Sequence, residues 1–208
     1  MDIIKSSYKR QIKNNFLNLI NEETLNNDKH TLRATKLWGE NLHSRKDYLE
    51  GGFKKLYDYG DKVNTHIEKV FNEFDLDFQL GNCLEIGCGE GIDLRYLVKN
   101  FKFRNIFAVD LGKNVFEISK LHVFKNIFFC RCDCKQLPFN DNVFDFIYSY
   151  GVFHHTKNFN KSIIEAKRVL KPGGILIFYN YKTHNNLIKK FGVFIETILM
   201  KFFINLSY

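Results

Sequence analysis

The run Leu84-Glu85-Ile86-Gly87-Cys88-Gly89-Glu90-Gly91 constrains the fold of this chain more than any other stretch. It joins a short apolar segment to one with helical spacing of apolar side chains. Three alternate glycines there let the main chain turn sharply and let a ligand come close to it. The free N–H groups at the start of the following helix add a field that favours negative charge. The spacing is G-x-G-x-G. The dinucleotide fingerprint needs G-x-G-x-x-G, and Ile92 stands where its last glycine would fall.

From residue 83 onward, short apolar runs alternate with helical stretches. Strands are expected at 83–86, 105–109, 126–131, 144–148 and 175–180, with helices near 92–100, 113–124 and 161–170. Lys171-Pro172-Gly173-Gly174 reads as a tight turn into the fifth strand. This alternation predicts βαβ units and an α/β fold, a Rossmann-like three-layer sandwich with a mostly parallel sheet covered on both faces. Asp110 ends the second strand, 19 residues after Gly91. A carboxylate at that place can accept two hydrogen bonds from a ribose diol. It can also cap the helix that follows.

The flanks read differently. Residues 1–80 are expected to form a helical cap or extension, with helical spacing at 3–20 and 63–74 and an aromatic stretch of Trp38, Tyr48, Phe53, Tyr57 and Tyr59 between. Residues 81–181 form the core, and residues 182–208 are expected to add a C-terminal amphipathic helix over 187–206. That helix is too short and too charged to span a bilayer, though its lysines and phenylalanines would suit a membrane surface.

The 208 residues carry a formal charge of +8, all of it after residue 80, and no run of five basic residues occurs. A scattered excess of this kind reads as solvated surface before it reads as a nucleic-acid face. The five cysteines are odd in number and no signal peptide opens the chain, which fits a reducing cytoplasm. Cys130, Cys132 and Cys134 alternate along one strand face. No CxxC pair or nearby histidine completes a metal set, so no metal is expected.

Four segments in order carry a family resemblance: residues 84–91, Val109-Asp110-Leu111, Cys132-Asp133-Cys134-Lys135-Gln136-Leu137-Pro138-Phe139, and residues 144–155 ending in His154-His155. Val169-Leu170-Lys171-Pro172-Gly173-Gly174 follows at the expected distance. Over about residues 82–181 the chain resembles the class I S-adenosylmethionine-dependent methyltransferases, of the type 11 group. The resemblance implies S-adenosyl-L-methionine as cofactor. Glu85, Gly87, Cys88, Gly89 and Gly91 would line its methionine and ribose portion. Asp110 would hold the ribose hydroxyls, with Leu111 against the adenine. Asp133 would accept from the adenine amino group, the Cys134 N–H would meet a ring nitrogen, and Ser149 and Tyr150 would contact the methionine portion.

The chemistry implied is in-line transfer of a methyl group to a small-molecule acceptor. His154, His155 and Tyr150 are the candidate catalytic residues, as base or as positioning groups. The family's sheet runs 3-2-1-4-5-7-6. Only residues 181–208 remain after the fifth strand, so 3-2-1-4-5 without the sixth and seventh strands is expected. The Phe-rich helix, or a second copy in a homodimer, would then cover the open edge. The alternatives are a catalytically inactive, methyltransferase-like binding protein or a fragment of a longer enzyme.

Overall fold

The structure is a computed structural model that describes residues 3–35, 81–121, 126–182 and 194–201. Its frame is a seven-stranded sheet in the order β1-β4-β3-β2-β5-β6-β7. The strands are β1 (Phe16–Asn18), β2 (Asn82–Ile86), β3 (Asn105–Asp110), β4 (Ile127–Arg131), β5 (Phe144–Tyr150), β6 (Leu170–Lys182) and β7 (Phe194–Lys201). Every neighbouring pair is parallel except β6 with β7. The inner five strands therefore have the expected 3-2-1-4-5 order.

All five residues of β2 are buried, as a central parallel strand requires. Successive side chains alternate between two cores. Cys83 packs with Ile106, Ala108, Phe146, Tyr148 and the helix residues Leu94, Leu97, Val115 and Ile118. These come from α3 (Ile92–Asn100) and α4 (Asn114–Leu121). Leu84 and Ile86 pack on the other face with Phe107, Val109, Cys130, Phe144 and with Ala166 and Val169 of α5 (Phe159–Val169). The Asn158 side chain caps α5 by accepting from Lys161 N. A single buried Leu, Ile or Phe side chain contributes about 1.5–3 kcal/mol, so these two layers supply most of the stability.

Several expectations are corrected. Residues 3–20 do not form a helix. A 3-10 turn over Ser6–Gln11 leads into β1, which lies parallel to β4, and α1 (Glu22–Asn27) and α2 (Lys29–Thr35) follow. The reason is an available edge: β4 would otherwise expose its N–H and C=O groups. Asn14 and Asn15 take positive φ of 49° and 59° and turn the chain into that position.

Residues 194–201, expected within an amphipathic helix, form β7 antiparallel to β6 instead. The open edge of β6 is thus covered by a strand, not by a helix, in a segment that carries the β-branched Ile195, Thr197 and Ile198. One strand beyond the fifth does fit, beside it. That is the place the seventh strand takes in the family's order. The turn at residues 171–174 proves to be an excursion inside β6, since Phe144 pairs with Leu170 and Phe146 with Ile175. β5 runs two residues further than expected and carries Ser149 and Tyr150. The expected helix at 63–74 and the aromatic stretch from Trp38 to Tyr59 lie outside the described residues.

Candidate active site

A cleft of about 200 Å³ opens at the carboxyl ends of β2, β3, β4 and β5. This is where the chain order reverses across the sheet, the usual ligand position of an open α/β fold. Three glycines shape its floor. At Gly87 φ is +80°, and an added Cβ would lie 2.1 Å from Val152 Cγ2. Its N–H, with that of Cys88, donates to Val109 O at 2.7 and 3.1 Å. At Gly89 φ is +51°, and an added Cβ would meet nothing within 4 Å, because the position faces the cleft. Gly91, at φ +75°, caps α3.

Asp110 ties this floor to the next loop. Its Oδ2 accepts from Gly89 N at 2.9 Å and its Oδ1 from Gly112 N at 2.6 Å. Burial raises its pKa above the ordinary aspartate value, and the backbone N–H groups oppose that rise. Asp110, Leu111 and Gly112 all line the cleft.

The loop after β4 contributes Cys132, Asp133, Cys134 and Lys135. Asp133 accepts from Lys135 N at 2.8 Å and pairs with Lys135 Nζ at 3.2 Å. All five thiols are free and buried, and burial pushes Cys134 up to about 12. Cys134 Sγ lies 3.6 Å from Ser162 Oγ, which in turn donates to Thr156 Oγ1 at 3.2 Å. Among the described residues no cluster of three His, Cys, Asp or Glu is placed to hold a metal.

The far wall is Tyr150, Gly151, Val152, His155 and Thr156. His154 and His155 belong to a 3-10 turn (Phe153–His155), their ring centroids 3.9 Å apart. His155 lines the cleft and His154 does not. Of the other expected site residues, Gly87, Gly89, Asp110, Leu111, Asp133, Cys134 and Tyr150 also line it, whereas Glu85, Cys88, Gly91 and Ser149 do not. Cys88 packs in the core behind the loop. Ser149 Oγ donates to Ile86 O at 3.0 Å and braces β5 against β2.

Glu85 sits beneath the floor, 2% exposed, and its Oε2 has no hydrogen-bond partner among the described residues. Burial, then the nearby Asp93 and Asp110, hold its pKa well above the carboxylate range. Asp93, which accepts from the Tyr148 hydroxyl, is raised by burial to about 6.

Sequence reasoning gave no site role to Thr35, Ile86, Val109, Gly112, Asn114, Cys132, Lys135, Gly151, Val152 and Thr156, which also line the cleft. Ile86, Val109, Cys132, Lys135, Gly151 and Val152 lie inside the quoted motifs, and Gly112 and Thr156 directly follow them, so position along the chain could have found them. Thr35 had no such signal. It arrives from the N-terminal segment by tertiary packing.

The family's cofactor fits these residues. Gly89 leaves open the space that a side chain would fill. Asp110 presents a carboxylate on the same wall, and Glu85 keeps a buried carboxylate oxygen without a donor below it. That is a suitable set for a nucleoside whose sugar hydroxyls need acceptors.

Residues 84–178 match the family profile described as a methyltransferase domain, just under half of the chain. The chain is 30% identical over 158 residues to Sterol 4-C-methyltransferase strm-1 of Caenorhabditis elegans, covering 73% of this chain and 45% of that protein. It is 30% identical over 121 residues to Fatty-acid O-methyltransferase of Mycolicibacterium smegmatis, covering 57% and 44%. Phthiotriol/phenolphthiotriol dimycocerosates methyltransferase 1 of Mycobacterium ulcerans matches at 29% over 105 residues, covering 50% and 39%. The chain thus spans about two fifths of the length of these curated relatives.

Among solved structures, a sarcosine dimethylglycine methyltransferase assignment from Galdieria sulphuraria superposes with TM-score 0.51 at 23% identity, covering 57% of this chain and 46% of that one. That likeness is one of fold. Residues 84–178 thus match a methyltransferase domain, and the order of the inner five strands is the one that the resemblance to the class I S-adenosylmethionine-dependent methyltransferases implies.

Proposed function

We propose that this chain transfers a methyl group from S-adenosylmethionine to a small, largely apolar acceptor. The observation that carries the reading is the coupling of Gly89 to Asp110. One carboxylate bonds the glycine floor and also faces the cleft, so the ligand's sugar and the loop beneath it are held by the same group. Asp110 binds the ribose hydroxyls, with Leu111 against the base. Asp133 and the Cys134 N–H meet the edge of the adenine. Gly87 and Gly89 leave room for the chain of the ligand, and Tyr150 bounds its methionine end. Glu85, behind the floor and held protonated by burial, does not line the cleft and leaves a carboxyl oxygen beneath the glycine loop.

When bound, the cofactor supplies an already activated methyl group. The chain's own task is to orient the acceptor and exclude water. Tyr150 and Val152 form an aromatic and aliphatic wall suited to that task. A hydroxyl or carboxylic acid acceptor must lose a proton, and His155, at the cleft wall, is placed to take it. His154 packs against its ring and orients it.

The apolar acceptor is supported by the relatives, which are named for sterols, a fatty acid and dimycocerosates. No helix among the described residues is long and apolar enough to cross a membrane. The test is calorimetric titration with S-adenosylmethionine and with NAD, followed by incubation with methyl-labelled cofactor and lipid or sterol extracts. Binding of the first ligand alone and label in an apolar product are expected. Binding of NAD, or label confined to nucleic acid or protein, overturns the reading.

A further inference from the structure

We infer that the N-terminal segment of this chain forms part of the ligand site, with Thr35 touching the bound nucleoside and the Glu22–Arg131 pair serving as the latch that holds it there. This rests on the cleft being the cofactor site. The segment lies outside the matched domain, which begins at residue 84, yet Thr35, at the end of α2 and 8% exposed, stands in the cleft wall.

Arg131 is the connection. It ends β4 and is 3% exposed. Its Nε donates to Leu111 O at 3.1 Å, and its Nη1 donates to Glu22 Oε1 at the start of α1. Leu111 belongs to the loop that carries Asp110 along the cleft. One buried guanidinium therefore bonds the ribose-side loop with one nitrogen and the N-terminal segment with another. Its Nη2 has no acceptor among the described residues, so the Glu22 carboxylate is central to balancing its charge. Glu22 is half-exposed, whereas Arg131 is buried, so removing the Glu22 carboxylate leaves the guanidinium with Leu111 O and the nearby Asp110 charge alone.

The attachment has further contacts. Leu19 N donates to Arg131 O at 2.9 Å. Phe16 lies 5.1 Å, ring to ring, from Phe116 of α4. Lys113 Nζ lies 4.0 Å from Glu22 Oε1, so Glu22 faces two cations. From this anchor α1 packs on α2, with Leu25 buried, and α2 delivers Thr35 to the cleft. Ligand that fixes the loop at residues 110–112 thus fixes Arg131, and through it α1 and α2. Arg131 and Glu22 are positioning residues in this scheme, and Thr35 is a contact residue.

The test uses the full chain with S-adenosylhomocysteine, read by hydrogen exchange over residues 22–35 and by calorimetry. In the parent, ligand is expected to slow exchange across that segment. Glu22→Ala should bind about tenfold more weakly and lose the ligand-dependent protection. Glu22→Gln, which keeps the shape without the charge, should fall between. Thr35→Val, assayed where it remains folded, should weaken binding, and it decides the matter if Glu22→Ala fails to fold. The inference is overturned if the parent binds while exchange over residues 22–35 ignores ligand and the variants bind as tightly. A parent that binds no nucleoside sinks the cofactor reading itself, a distinguishable result.

Discussion

Two alanine substitutions in one loop should separate folding from binding. Gly87 and Gly89 both have positive φ, +80° and +51°, so alanine at either costs about 1–2 kcal/mol of backbone strain. Their surroundings differ. The Gly87→Ala methyl would sit 2.1 Å from Val152 Cγ2, far inside contact distance. Val152 must move or the β2–α3 turn must open, adding about 1–3 kcal/mol of overpacking. The Gly87 variant should therefore lose about 2–5 kcal/mol of stability. Gly89→Ala meets nothing within 4 Å and should lose only the strain. Its methyl projects into the cleft, where it displaces ligand, so affinity for S-adenosylmethionine should fall by tenfold or more, about 1.4 kcal/mol. Urea denaturation gives the stabilities and calorimetry gives the affinities. Equal stability loss in the two variants would refute the packing argument. A stable Gly89 variant that binds like the parent would refute the cradle.

Three further outcomes follow from the same geometry. Asp110→Ala strands the Gly89 and Gly112 N–H groups and removes the proposed ribose acceptor, so binding should weaken by about 1–3 kcal/mol. Unchanged calorimetric affinity would remove Asp110 from the site. Asp93 is raised from 3.8 to about 6 by burial, so the native state holds its proton longer than the unfolded chain. Stability should then fall as pH rises from about 4 to 6 and level off above, by at most about 3 kcal/mol at 1.36 kcal/mol per pH unit. Glu85 shifts in the same direction. Asp93→Asn should flatten that slope in denaturation measured across pH. Arg168 donates to Leu137 O, Phe139 O, Asp141 and Glu165 and so holds the segment between β4 and β5. Arg168→Ala should cost about 2–4 kcal/mol by chemical denaturation, and a loss under 1 kcal/mol would mark these contacts as incidental.

The central sheet was legible because its signals are local. Alternating apolar runs place β2 to β6, and glycines at 87, 89 and 91 mark where the chain must take positive φ. The edges were not legible, because edge strands are chosen by what lies beside them. Helical spacing in residues 3–20 gave way to pairing with β4, although Asn14-Asn15 offered a turn signal. Residues 194–201 carry a helical apolar pattern and β-branched residues at once, and the open side of β6 selected the strand. The same logic divides the site. Gly89, Asp110 and Asp133 lie at strand ends that the sequence already locates. Ser149 turned inward because Ile86 O needed a donor. Thr35 reaches the cleft through the pairing of β1 with β4, the Glu22–Arg131 contact and the packing of two short helices.

The account rests on what occupies the crevice above β2 and β3. The direct measurement is a crystal structure of the full chain grown with S-adenosylhomocysteine. It should show the ribose hydroxyls within hydrogen-bond distance of Asp110 and the main chain at Gly89 against the ligand. Adenosine bound elsewhere, or a crevice closed by side chains at saturating ligand, would contradict it.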